Sequence, residues 1–346
     1  MSGTIGTMPT GLLGMLASQS ATVRQRLDTL TQQAATGYKS DTYAGLGDGA
    51  KISIDLRPHL QRIDTYASNI SQADTKLQIT GSALQQLSDI AASFATQTIN
   101  MSAQTSPAVD SIAVQARLAL QQVQVLLNSQ SGGAYLFAGQ DSANQPVPDA
   151  ELAAFVAAVQ IPVATLTDTN AATTAAATLA AAIATTVTSA TLGTARSMIE
   201  AGDGLDLASG VLAGQNAYAV QSGPGSTGSY VKDLLRGLAT LAAMNSAQTA
   251  LGNGFTSFVT DIGTTLKGAV VAMGTEMAGI GQQQSVLSTQ KTALSDTAKA
   301  FTTQISSVED VDMAATATAL SQVQTQLQAS YRLIAGMQNM SLVGYL

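Results

Sequence analysis

The sequence predicts a mainly α-helical chain: an elongated antiparallel helical rod with coiled-coil helices at both termini and a small mixed α/β domain inserted in the middle. Three observations carry this. Apolar residues recur at intervals of seven near both ends, over Leu13–Leu30 and Leu320–Met337. Helical periodicity continues inward through two runs of about 50 residues each, far longer than the usual 10–14. Between these runs the composition turns to Ala, Thr, Gly and Pro.

The first helix is read from "LLGMLASQSATVRQRLDTLTQQAATG", where Leu16, Val23 and Leu30 form one row and Leu13, Ser20 and Leu27 a second. The two rows alternate at steps of three and four, the spacing of a coiled-coil seam. Arg24, Arg26 and Asp28 fall between them, as on a solvated face. The loop "TGYKSDTYAGLGDGAKI" follows, broken by Gly37, Gly45, Gly47 and Gly49. Leu56, Ile63, Ile70, Leu77 and Leu84 then mark a long continuous helix from about Ile52 to Ser102, in which Pro58 is the one candidate for an early break. "TSPAVD" restarts the chain: Ser106 reads as an N-cap, Pro107 as the first helical residue and Asp110 as a first-turn charge. That helix should bury Ile112, Ala116, Ala119, Val123 and Leu126 and stop at Gly132–Gly133.

Pro146 and Pro148 open the insert, about residues 138–228. The Ala/Thr-rich stretch 150–190 reads as two short helices, and the Gly-rich stretch after it has room for strands. A short helix is expected over Tyr230–Ala243. A last long one runs from about Asn253 to Ser306, with Phe258, Ile262, Leu266, Val270, Met273, Met277 and Ile280 on one face. "SSVEDVDM" reads as a break, with Ser306 and Glu309 as a capping box and Asp310 in the first turn of the closing helix. On that helix Leu320, Leu327 and Ile334 form one row; Val323 and Met337, with Ser330 between them, form its neighbour. Chain ends fray unless something holds them. The two terminal seams, Leu13, Leu16, Val23, Leu27 and Leu30 with Leu320, Val323, Leu327, Ile334 and Met337, are therefore expected to pack on each other and on neighbouring copies.

Composition excludes several classes. The 346 residues are 45% hydrophobic, 4% aromatic and 11% charged, against about 25% charged in an average protein. A polar surface built of Ser, Thr, Gln and Asn repels its neighbours weakly, which suits packing among copies; drift in gene composition would give the same figures. The net charge of −7 and the lack of a basic cluster argue against nucleic acid and anionic membranes. With no Cys, disulfides and thiolate chemistry are out. The N-terminus lacks the pattern of a cleaved signal peptide, and no apolar run is long enough to span a bilayer. His59 is the only histidine and cannot build a His-based metal site. "GLGDGAK" and "GPGSTGS" lack the full phosphate-loop spacing, and "EDVD" lacks the ligand number of a calcium loop. No catalytic, cofactor-binding or metal-binding set is expected.

The order of these elements and several local motifs resemble the flagellin superfamily. "TGYKSDTYAGLGDGA" (Thr36–Ala50) stands where members carry a Ser/Thr-Gly-basic motif and an acidic loop, though with Gly-Leu-Gly-Asp-Gly in place of paired aspartates. "ISSVEDVDMAATATALSQVQTQLQAS" resembles the segment that leads into the family's C-terminal assembly helix. "GGAYLFAG" (Gly132–Gly139) and the ending "SLVGYL" are closer to hook-associated junction members than to filament flagellins. The resemblance covers about residues 1–140 and 230–346. It implies terminal assembly helices at 1–40 and 305–346, a helical rod domain at 41–137 and 229–304, and a variable, dispensable outer domain at 138–228. It further implies a non-enzymatic flagellar subunit outside the cell, exported through the flagellar type III apparatus with a chaperone. Its partners would be copies of itself, hook-associated proteins and flagellin. The alternative within the class is a flagellin that forms the filament itself.

Overall fold

The computed structural model describes residues 10–101, 106–188, 195–220 and 225–343. It divides into a terminal unit, residues 1–63 with 296–346, and a middle unit, residues 64–295. The fold is mainly α, with two small antiparallel strand pairs.

In the terminal unit, α1 (Thr10–Thr36) packs along α8 (Met313–Val343). The pair is antiparallel, because the end of α1 meets the start of α8: the Val311 N–H donates to Gly37 O at 2.9 Å and the Lys39 N–H to Glu309 O at 2.7 Å. Farther along, Arg24 lies over the Tyr331 ring at 5.6 Å. Gly37 closes α1 with φ 79°, a conformation that suits Gly, while its N–H still reaches Gln33 O at 2.9 Å. After a 3₁₀ turn (Tyr43–Leu46), α2 (Gly49–Met101) runs continuously through Pro58. A proline inside a helix frees the carbonyl four residues back, here that of Ile54, which is 50% exposed and lies beside solvent.

The break before α8 also differs from expectation. α7 (Asn253–Glu309) continues through Ser306 and ends on Glu309, so these two residues do not form a capping box. Asp312 caps α8 instead: its Oδ1 accepts the N–H groups of Ala314 and Ala315 at 2.9 and 3.0 Å.

In the middle unit, α2 buries Ile70, Leu77, Leu84, Leu87 and Phe94, and α7 buries Phe258, Ile262, Leu266, Met273 and Ile280. α3 (Ser106–Leu127) ends earlier than expected and buries Leu127 fully, with Leu126 only half-buried. The Ser106 and Pro107 side chains lie outside the described residues. Asp110 is not in the first turn; its Oδ1 accepts the Ser246 N–H at 2.8 Å. Gly132 and Gly133, at φ 60° and 78°, make the tight turn of a hairpin between β1 (Gln130–Ser131) and β2 (Ala134–Tyr135). The rest of the "GGAYLFAG" motif then turns inward. Phe137 is fully buried, and a Cβ on Gly139 would stand 2.4 Å from Ala195 O.

The middle segment does not stand apart from this core. α4 (Asp149–Val163) and α5 (Ala171–Ala184) pack on each other and on α6 (Tyr230–Ala243), which also packs on α3. α6 is therefore buried nearly all round, as a helix enclosed by partners should be. β3 (Ser197–Gly202) pairs with β4 (Leu205–Ser209), with a bulge between Glu200 and Gly202.

Candidate assembly interface

The heptad residues line the contact between α1 and α8, but they do not close it. Val323 is buried, and so are two polar neighbours, Ser20 and Thr316. Val23, Leu27, Leu30, Leu320, Leu327 and Ile334 are half-buried. The side chains of Leu13, Leu16 and Met337 lie outside the described residues. Beside the seam, Met15 and Leu333 are 70% and 61% exposed. A narrow stripe on one helix covers only part of the stripe on its partner, so apolar surface remains along both.

At the far end of this pair, the two linkers that follow α1 and α7 are joined in a clasp. Their main chains make an antiparallel bridge at Tyr38 and Asp310. The Lys39 ammonium donates to Ser307 O at 2.9 Å and Val308 O at 2.8 Å. It thereby satisfies carbonyls at the C-terminus of α7, where a cation is favoured. Glu309 turns its carboxylate onto α2: it accepts from the buried Ser53 hydroxyl, from Arg57 Nη2 at 2.6 Å and from Arg57 Nε at 3.3 Å. Gly49 at the start of α2 lies so close that a Cβ there would stand 2.1 Å from Val308 Cγ1.

The electrostatics follow from this geometry. Loss of water pushes the Glu309 carboxyl up. The bonds from Ser53 and Arg57 and the Arg57 charge outweigh that loss and hold it below its ordinary value. The Arg57 guanidinium is raised in turn, mainly by its bond to Glu309. His59, by contrast, is exposed, meeting Arg62 at 2.7 Å and the edge of Phe301 at 6.1 Å between ring centres.

Sequence reasoning missed the clasp. Glu309 looked like a capping residue, and nothing local links it to Arg57, so far away in the chain. Ser53 carried a weak signal, a small polar residue on the buried side of a long helix. Among the described residues no group of three or more His, Cys, Asp or Glu could hold a metal ion. No described helix is long and apolar enough to cross a membrane.

No curated protein sequence matches the chain. Among solved structures, that of a flagellar hook-associated protein from Vibrio parahaemolyticus is similar at a TM-score of 0.40 and 13% identity, covering 72% of this chain and 96% of that one. The family model of the bacterial flagellin C-terminal helical region matches residues 264–346. The stretch that contains α8, its half-open seam and the Glu309 clasp is thus similar to the C-terminal helical region of bacterial flagellin.

Proposed function

We propose that this chain is a structural subunit of the bacterial flagellum that assembles with copies of itself and other axial proteins through α1 and α8. The observation that carries the reading is the half-open seam inside the flagellin-like region: Leu327 and Ile334 are only half-buried in the single chain, and Leu333 beside them is exposed. Apolar surface arranged in a strip is what an assembly partner would cover. The subunit works without chemistry of its own, outside the cell, after export through the flagellar type III apparatus with a chaperone.

Within the flagellum, we infer a position at the junction between hook and filament. The motifs "GGAYLFAG" and "SLVGYL" favour the junction over the filament. A filament-forming flagellin is the second reading, because the match over residues 264–346 is to a flagellin region. A strain lacking the gene separates the two. Hooks without filaments and flagellin shed into the medium are expected for a junction subunit. Loss of the filament protein with an intact junction is the outcome for a flagellin. Normal flagella would refute both.

A further inference from the structure

Glu276, Gln283 and Gln290 lie seven residues apart on α7, so they form one polar row on the helix. Each bonds to main chain of the segment before α6. Glu276, fully buried, accepts three successive N–H groups with one oxygen: those of Ala217, Tyr218 and Ala219 at 2.9, 2.9 and 2.8 Å. Gln283 accepts the Gly210 N–H at 3.1 Å and donates to Ala208 O at 2.8 Å. One residue of a parallel strand would bond to its neighbour around Ser209 in the same way. Gln290 donates to Ala201 O at 3.1 Å. Between the first two, Gly279 keeps the helix surface low. A Cβ there would stand 2.3 Å from the Tyr218 ring.

We propose that this row is a main-chain dock, a surface of α7 that holds the backbone within residues 201–219 at successive points, with Tyr218, whose hydroxyl accepts from Gln283, as a side-chain anchor, and that leaves the outward-facing side chains free to vary. The need for it is physical. A two-stranded antiparallel sheet is marginal in water by itself, and among the described residues β3–β4 has no third strand. The amide and carboxylate groups of α7 take the place of one, because they offer the donors and acceptors a strand would offer. α2 holds the same ribbon from its other flank: Asn69 donates to Glu200 O at 3.3 Å and Tyr66 to Asp203 Oδ1 at 2.6 Å. Met198, Leu205 and Val220 meanwhile point into solvent at 51%, 38% and 86% exposure. The segment's outer surface is thus free to change while its placement is kept. This holds whether or not the chain is a flagellar subunit.

Hydrogen exchange read by mass spectrometry on the full chain tests the dock. Gln283→Ala is expected to speed exchange across residues 205–219 by roughly tenfold or more, since it removes both main-chain hydrogen bonds around Ser209 and the bond to the Tyr218 hydroxyl, with α6 unchanged. Gln290→Ala gives the same reading for residues 199–203 if Gln283→Ala fails to fold. A triple surface change, Met198→Thr with Leu205→Thr and Asp206→Ser, should leave exchange within about twofold of the parent. The proposal is overturned if the α7 variants exchange like the parent, or if the surface change loosens the ribbon as much as they do.

Discussion

Removing the Glu309 carboxylate should loosen the terminal unit and leave the middle unit as it was. Glu309 is 7% exposed and serves two donors of different standing. Ser53 is fully buried, so loss of its acceptor strands a hydroxyl at a cost of about 1–3 kcal/mol. The Arg57 side chain is 52% exposed. Water takes over its charge, and its share is about 0–1 kcal/mol. Glu309→Ala should therefore destabilise the terminal unit by about 2–3 kcal/mol. Glu309→Gln keeps an acceptor for Ser53 and should lose only about 1 kcal/mol. Hydrogen exchange over residues 37–63 and 296–320 reads the effect, with α6 as the internal control. The acid side gives an independent check. Because the folded carboxyl titrates below its ordinary value near 4.5, the clasp's contribution is whole above that pH and fades as pH falls through the lower folded value. In Glu309→Gln that loss of protection should disappear. The reasoning fails if Ala and Gln cost the same, or if neither changes exchange near the clasp.

Gly49→Ala should cost about 1–3 kcal/mol by driving a Cβ against Val308, and Val308→Ala in the same chain should return most of it; a double-mutant unfolding cycle reads this. Gly279→Ala should displace the Tyr218 ring and loosen residues 217–219, seen as faster exchange there. Leu327→Ala, at a half-buried site, should cost the single chain only about 1–2 kcal/mol, less than the 2–5 of a fully buried leucine, yet sharply weaken assembly; sedimentation of assembled material against the melting of the middle unit separates these effects. Deleting residues 138–228 should abolish cooperative unfolding of the middle unit, because it strips α4 and α5 from an α6 buried on all sides.

That last expectation differs from the sequence reading of a dispensable insert, and the deletion decides between the two. The long helices were legible because apolar residues at steps of three, four and seven state which face is buried. α6 was legible to its end residues because Ser229 and the run after it carry a cap and a compact apolar pattern; the Ser229 side chain accepts the Lys232 N–H at 3.4 Å. Proline and glycine at the borders of the insert marked turns correctly. They did not reveal that Phe155, Val159 and Val163, each buried, join the common core. Composition reports where a chain bends, not what it bends toward. Polar devices were the least legible. Glu276, Gln283 and Gln290 look like a solvated stripe in sequence, because a side chain that bonds to distant main chain leaves no periodic trace in its partner. The Glu309–Arg57 pair was hidden for the same reason.

The central claim is that the chain is an axial subunit of the flagellum, and its position on the organelle tests this most directly. An epitope placed at Val220, 86% exposed, can be labelled with gold on isolated flagella and viewed by electron microscopy. The account predicts label on the flagellum, gathered in one narrow band where the hook meets the filament, and lost when Ile334→Asp disables the seam. Label along the whole filament would move the subunit into the filament itself. Tagged protein that is exported and folded yet leaves the flagellum unlabelled would contradict the account.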